Sequence, residues 1–143
     1  VPDSVFDAYA ETPLPKKLGI KAHMAVALVN APEDFESRLG ELPAGAVLRR
    51  NLRGKPDLTL WFATSRKELE GKLPRMFRYG PNAGLWIAWP KKASSVSSDL
   101  SQSVVRRAGL DAGLMDFKIC KVDDTWSALR FTIPRGSILE RPR

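Results

Sequence analysis

The sequence predicts a three-layer α/β domain of the Rossmann-like type, with a mostly parallel central sheet that ends in an antiparallel hairpin. Short, continuous apolar runs alternate with segments of helical spacing, which is typical of a parallel sheet covered by helices on both faces. The last two apolar segments instead alternate apolar and polar residues around a turn, as the strands of a hairpin do. A chain of 143 residues suits one hydrophobic core.

Residues 1–18 are expected to form an N-terminal arm, because three prolines interrupt a stretch that has no period. The α/β domain would then occupy residues 19–134. Residues 135–143 would be a basic C-terminal tail.

The first strand is predicted over the apolar run MAVALV, residues 24–29. Pro32 in a first helical turn then opens a short helix, which has Phe35 and Leu39 on one face and stops at Gly40. Residues 46–52 form a brief further strand. Little more than RGKP separates that strand from the next one, and a parallel pair needs a crossover of about a dozen residues. We therefore expect strand 46–52 to be vestigial or antiparallel.

A stronger strand is predicted over residues 57–63, followed by a capping box, Ser65 to Glu68, that starts a helix. In such a box the serine and the glutamate each bond a free backbone N–H group at the helix start. Pro74 should kink or split this helix before Gly80, because proline removes a backbone hydrogen bond. The next strand covers residues 83–89.

A further helix is expected after Asp99, ending at Gly109 or Gly113. Two alternating strands, residues 115–122 and 126–133, then form the hairpin, with its turn at residues 123–125. In the first of them, alternation places one set of apolar residues on a common face: Met115, Phe117 and Ile119.

The stretch LWIAWPKKASS, residues 85–95, predicts a ligand site. Proline cannot donate to a sheet ladder, so the strand should stop at Pro90 and place two lysines at the carboxyl rim of the sheet, where ligands of open α/β sheets bind. The neighbouring helix start at Ser65 also favours negative charge. The alternative is that one lysine pairs with a local acid such as Asp99 or Glu33 while the other is solvated. The predicted ligand-binding residues are Asn30, Thr64, Ser65, Trp89, Lys91 and Lys92.

The net charge of +7 and the pI near 9.9 favour anionic partners without choosing among them. Nucleic acid is one alternative, and we expect any such binding to be weak and salt-dependent. Trp89 and Trp126 lie at strand ends, where their rings either stack on a ligand or pack in the core.

No catalytic residue, metal site or cofactor is predicted. His23 is the only histidine and lies at the start of the first strand, at the rim opposite the ligand side. Cys120 alternates with the apolar face of its strand, which predicts partial exposure and a thiol that is either packed or a bystander. A lone cysteine is typical of a cytoplasmic setting, and no apolar run is long enough to cross a membrane. The oligomeric state is left open.

The run LGIKAHMAVALVNAP, residues 18–32, resembles the beginning of a class I S-adenosylmethionine-dependent methyltransferase, and DTWSALRF resembles the closing strands of that fold. The motifs TPLPKKLGI, LWIAWPKKAS and DTWSALRF together are similar to a bacterial family of small proteins of unknown function, from Thr12 to about Ile133. This closer resemblance implies a bacterial source and a cytoplasmic setting, and it brings no activity.

The chain departs from the methyltransferase pattern at both cofactor-binding positions. The segment Asn30-Ala31-Pro32 stands where an acid and several glycines are expected, and Arg49-Arg50-Asn51 stands where the ribose-binding acid is expected. We therefore expect a degenerate, non-catalytic methyltransferase-like module that binds an anionic ligand or a protein partner at the carboxyl rim. The alternatives are a nucleic-acid-binding protein and an active methyltransferase with an atypical cofactor loop.

Overall fold

The structure, a computed structural model, describes residues 12–76, 84–92, 94 and 96–132. Six strands form one sheet in the order β2-β1-β3-β4-β6-β5, with parallel pairing from β2 to β4 and antiparallel pairing from β4 to β5. The predicted fold class is confirmed. The elements in chain order are α1 Leu14–Lys17, β1 Ala25–Val29, α2 Phe35–Leu39, β2 Val47–Arg49, β3 Leu58–Phe62, α3 Arg66–Met76, β4 Gly84–Pro90, α4 Gln102–Asp111, β5 Met115–Lys121 and β6 Trp126–Thr132.

The order of the strands creates a topological switch point between β1 and β3. From β1 the chain first adds β2 on one side and then returns to add β3 on the other side. The connections that leave the carboxyl ends of β1 and β3 therefore diverge, which opens the crevice where α/β sheets bind ligands. Asn30 and Thr64 lie just beyond these two strand ends.

Strand β2 is only three residues long, and its parallel pairing shows that the antiparallel alternative for residues 46–52 is wrong. It is parallel and pairs with β1, with Val47 opposite Ala25, and it does not contact β3 in the sheet. Three residues advance only about 10 Å along a strand. The eight residues between Arg49 and Leu58 are therefore enough for the chain to return to the amino edge of the sheet and pass β1 to the start of β3.

The predicted arm is ordered where the structure describes it. Residues 12 and 13 lead into α1, in which Pro15 is buried, and Leu18 directly after α1 is 1% exposed. The carbonyl of Leu18 accepts a hydrogen bond from Trp86 Nε1 at 2.9 Å. This contact ties the lead-in segment to the central strand β4. Residues 1–11 and the predicted tail, 135–143, lie outside the described part.

The first helix after β1 has the predicted face and end, but it begins at Phe35 with Asp34 as its N-cap, so Pro32 precedes the helix instead of opening it. Phe35 and Leu39 are buried on one face of α2, and Gly40 ends the helix with a φ of 87°, a conformation that favours glycine. Phe35 packs edge-on against Phe62 of β3, with ring centroids 5.0 Å apart.

The helices α3 and α4 begin as the sequence predicts, and α4 also ends near the predicted glycines. Ser65 Oγ accepts from Glu68 N at 3.1 Å, and Ser101 caps α4 in the same way. Helix α4 ends at Asp111, with Gly113 at a φ of 92°. Helix α3 is not split at Pro74, because it continues to Met76. The expected stop before Gly80 lies outside the described residues.

The hairpin forms around Asp123, whose Oδ1 accepts from the backbone of Thr125 and of Trp126, each at 2.8 Å. A register shift between Asp116 and Lys118 breaks the predicted alternation of β5. The expected common face is therefore divided and largely exposed, with Met115 at 50%, Phe117 at 56% and Ile119 at 46%.

The sheet separates two apolar clusters. One includes Phe35, Phe62 and Trp86, and the other includes Trp61, Leu69 and Val105. These clusters are the two layers of core that a three-layer sandwich requires. Within the described residues, each helix is too short or too polar to cross a lipid bilayer.

Candidate functional site

The carboxyl rim at the switch point brings together two of the predicted site residues, Asn30 and Thr64, and both are exposed. Asn30 has a φ of 56°, in the left-handed region that asparagine tolerates better than most residues. This conformation turns the chain out of β1 into the loop before α2.

A carboxylate links these two side chains. Asn30 Nδ2 donates to Glu68 Oε1 at 2.9 Å, and Thr64 Oγ1 donates to Glu68 Oε2 at 3.4 Å. We call these three residues the Asn30–Thr64–Glu68 cluster. It joins the end of β1 to the end of β3 through the first turn of α3.

Glu68 is the site residue that sequence reasoning missed. The capping box predicts that its carboxylate bonds the backbone at Ser65, and only the serine half of that box forms. The Glu68 carboxylate instead turns to the side chains of the rim. Sequence spacing cannot reveal this choice, because Asn30 is 38 positions away and becomes a neighbour only through the β1–β3 pairing.

The start of α3 already holds a carboxylate of the chain itself. Asp99 Oδ1 accepts from Arg66 N at 2.8 Å, and Ser98 Oγ donates to the carbonyl of Thr64 at 2.6 Å. Asp99 thus accepts from a backbone N–H group at which an external anion is expected from the sequence. Two carboxylates at this part of the rim, Asp99 and Glu68, oppose the approach of a further negative charge.

The predicted lysines follow β4, which ends at Pro90 as expected. Lys91 Nζ donates to the carbonyl of Asp123 at 2.9 Å, and Lys91 N donates to that of Thr125 at 2.8 Å. Lys91 therefore braces the hairpin turn, on the side of β4 away from β3, and it pairs with neither Asp99 nor Glu33. Lys92 is exposed at the rim.

The tryptophans at strand ends pack in the core. Trp89 is 5% exposed, and Trp126 is 7% exposed and meets Phe62 edge-on at 4.9 Å. Neither ring offers a free face of the size that stacking on a base requires. Of the predicted ligand-binding set, Trp89 is therefore a supporting residue beneath the rim.

Arg50 closes the loop after β1. Its guanidinium donates to the carbonyls of Ala31 and Pro32, at 3.0 and 2.7 Å, and to both carboxylate oxygens of Glu36. The Arg50 side chain holds the pKa of Glu36 below its usual value, chiefly through this hydrogen bonding. A lowered pKa means that the pair is intact at neutral pH and weakens as the pH falls through that lowered value.

Cys120 and His23 lie away from the rim. His23 is exposed before β1, at the amino edge, as predicted. Cys120 is 1% exposed, which corrects the expectation of partial exposure: it is opposite Ala128 of β6 and lies in the same apolar cluster as Trp86. Within the described ranges no cluster of histidine, cysteine, aspartate and glutamate side chains could hold a metal ion.

We expect the Cys120 thiol to react with an aromatic disulfide reagent at least roughly a hundredfold more slowly in the folded protein than in denaturant. Burial raises its pKa, so the protonated thiol favours the folded state. That contribution is complete below the pKa of the unfolded thiol and is lost as the pH rises towards the raised value. Absorbance assays near pH 8 measure both rates, and a native rate close to the denatured one would contradict the packing of Cys120.

Solved structures that resemble this fold include methyltransferases. A SAM-dependent methyltransferase from Aquifex aeolicus aligns with a TM-score of 0.59 and 15% identity, over 92% of this chain and 98% of that one. The magnesium protoporphyrin IX methyltransferase ChlM from Synechocystis aligns at 0.50 and 11%, over 92% and 81%. The tRNA methyltransferase TrmK from B. subtilis aligns at 0.51 and 8%, over 86% and 66%.

No family model and no curated protein matches the sequence. The resemblance to a small bacterial family therefore stays a prediction that depends on its three motifs. The structural likeness concerns the fold, since the identities are low, and it covers nearly the whole chain. The chain has a Rossmann-like, methyltransferase-like fold.

Proposed function

We propose that this chain is a non-catalytic module of the methyltransferase fold that binds a polar ligand at the carboxyl rim, over the Asn30–Thr64–Glu68 cluster. The observation that carries the proposal is the Glu68 carboxylate at the switch point, held by two exposed, neutral side chains. A carboxylate held in this way is preorganised to accept hydrogen bonds from a ligand. The donors of the ligand would either displace Asn30 and Thr64 or bind the Glu68 oxygens alongside them.

The charges at the rim select the class of ligand. Glu68 and Asp99 favour a molecule that brings hydroxyl or amino donors and disfavour a bare anion at this end. Ribonucleosides, which carry two neighbouring hydroxyls, are suitable first probes. An anionic ligand, as the sequence predicts, is the second candidate, and exposed Lys92 is the residue that favours it.

The non-catalytic part of the proposal rests on the loop after β1. Pro32 lacks a backbone donor, and Arg50 is bonded to the carbonyls of Ala31, Pro32 and Glu33. A cofactor that required bare, glycine-like backbone at this loop would have to displace the Arg50 side chain from these carbonyls and from Glu36. S-Adenosylmethionine is therefore not expected to bind at near-physiological concentration, and the active-methyltransferase alternative depends on that binding.

Nucleic-acid binding is a weaker candidate because much of the arginine charge is already paired. Five arginines of the described residues are in ion pairs with carboxylates: Arg38, Arg50, Arg66, Arg106 and Arg107. Each of these pairs offsets a positive charge that a phosphate would otherwise meet. The proposal therefore includes only weak, salt-dependent binding to oligonucleotides.

Adenosine is expected to raise the thermal stability of the protein, and Glu68→Gln should remove most of that shift while the variant stays folded. A ligand at about a hundred times its dissociation constant adds roughly 2.7 kcal/mol to the free energy of unfolding, which a thermal-shift assay detects. Glu70→Gln is the matched control: Glu70 is an exposed glutamate of the same helix and pairs with Arg66. This control should keep the adenosine shift.

Other ligands in the same screen separate the alternatives. A shift with inorganic phosphate that survives Glu68→Gln and disappears in the Lys91→Ala, Lys92→Ala double variant would favour the anionic ligand. A low-micromolar dissociation constant for S-adenosylmethionine by calorimetry would overturn the non-catalytic proposal. Nanomolar, sequence-selective oligonucleotide binding at physiological salt would favour a nucleic-acid-binding protein instead.

A further inference from the structure

Arg130 of β6 lies opposite Trp86 of β4, in the amino-terminal half of that strand and so away from the carboxyl rim. Its Nε is buried and has no hydrogen-bond partner, and among the described residues no carboxylate pairs with its guanidinium. Buried arginine nitrogens are normally hydrogen-bonded. Within the described part of the chain, this side chain is therefore a cation without a carboxylate partner, held partly inside the protein.

The guanidinium is held in a slot beside two glycines. A Cβ atom added at Gly19 would lie 2.7 Å from Arg130 Nη1, and one added at Gly84 would lie 2.8 Å from Nη2. Both contacts are closer than real Cβ atoms tolerate. The absence of side chains at these two positions is thus what gives the guanidinium its place against the backbone.

Two aromatic rings complete the slot. The Arg130 guanidinium carbon lies 5.9 Å from the Trp86 ring centroid and 5.5 Å from that of Phe117, within the range of cation–π attraction. Trp86 is itself anchored by its bond to the Leu18 carbonyl. Phe117 lies at the register shift of β5, which brings its ring over Arg130.

The acidic residue of β5, Asp116, is in an ion pair with another arginine. Asp116 is opposite Phe131, on the other face of the sheet, where it binds Arg106 Nε at 2.9 Å. The residue opposite Arg130 on β5 is instead Lys118, a second cation. This face of the hairpin therefore presents positive charge without a carboxylate of its own.

We propose that Arg130 binds a carboxylate from an acidic segment of a protein partner that docks on this face of the β5–β6 hairpin. A fixed, planar guanidinium matches the two oxygens of a carboxylate. Met115 is opposite Thr132, two residues from Arg130, so it shares this face with Phe117. Both are at least half exposed and supply apolar contacts that a peptide uses and a free, strongly hydrated ion does not.

The test is a titration of the whole chain with a blocked peptide of alternating aspartate and valine, followed by the ¹⁵N resonance of Arg130 Nε. We expect a saturable shift of that resonance below about 10 mM peptide. The same peptide with asparagine in place of aspartate should not shift it.

Arg130→Lys should weaken binding at least roughly tenfold, because lysine cannot make the planar, two-point contact. Arg75→Lys, a change of an exposed arginine on α3, should leave binding intact.

Three results would overturn the proposal: no saturable shift, equal shifts with the aspartate and asparagine peptides, or saturation by inorganic phosphate but not by the aspartate peptide at equal ionic strength. If Arg130→Lys does not fold, the comparison of the two peptides on the unchanged protein still decides. The adenosine shift at the carboxyl rim should be the same with and without the peptide, so the two proposals stand or fall separately.

Discussion

Replacing Trp86 with phenylalanine is expected to lower the free energy of unfolding by about 1–3 kcal/mol more than the same replacement at Trp61. Both indoles are fully buried in adjacent central strands, so the loss of volume is similar. Their ring nitrogens differ. Trp86 Nε1 donates to the Leu18 carbonyl at 2.9 Å, whereas Trp61 Nε1 is buried without a partner. Trp86→Phe would leave a buried acceptor unpaired, and Trp61→Phe would remove a donor that is already unpaired.

Chemical denaturation of the two single variants measures this difference. Trp86 also lies under Arg130, so the ring–guanidinium contact is a second contribution. Each tryptophan is therefore also replaced singly in an Arg130→Met background, which removes that contact. The difference in the free energy of unfolding that remains between the two variants then reports the hydrogen bond. Equal losses at Trp61 and Trp86 in that background would show that the Leu18 contact does not anchor the segment before β1.

The fold could be predicted because its signals are local. Continuous apolar runs locate β1, β3 and β4, and the alternation around Asp123 locates the hairpin. Ser65 and Gly40 mark helix ends through their own backbone chemistry. Each of these signals depends on neighbours within a few positions, which is the range that a single sequence reveals.

The wrong predictions concern features that depend on how distant segments pair: strand orientation and the face on which a side chain lies. The parallel alignment of β2 depends on its partner being β1 rather than β3. The division of the face expected for Met115, Phe117 and Ile119 depends on a register shift at Phe117, which the alternating pattern of β5 does not show. Local spacing cannot specify a shift of register between two strands, and such a shift moves side chains to the opposite face.

The sequence predicts a ligand site at the carboxyl rim but does not predict the two carboxylates that the structure places there. Strand order places Asn30 and Thr64 together, as expected for carboxyl ends in a parallel sheet. The carboxylates of Glu68 and Asp99 reach that rim through side-chain bonds across 38 and 33 positions. The lysines of the sequence predict a positively charged rim. These two carboxylates instead give it hydrogen-bond acceptors.

Gly109→Ala is expected to destabilise the protein although alanine is the better helix former. Gly109 of α4 packs directly on β6, and an added Cβ would lie 2.2 Å from Phe131 Cε1. Phe131 is 1% exposed within an apolar cluster, so its ring cannot move aside without disturbing its neighbours. Overpacking of this kind costs about 1–3 kcal/mol, against a gain in helix propensity of up to about 1 kcal/mol.

Gly71→Ala provides the matched comparison. Gly71 lies in the exposed part of α3, and an added Cβ there meets no atom within 4 Å. This variant should gain up to about 1 kcal/mol, because only the helix-propensity term changes. The difference between the two alanine variants in a denaturant titration therefore isolates the cost of overpacking, about 1–3 kcal/mol. A Gly109→Ala variant as stable as Gly71→Ala would mean that α4 does not pack against β6 as closely as the Phe131 contact requires.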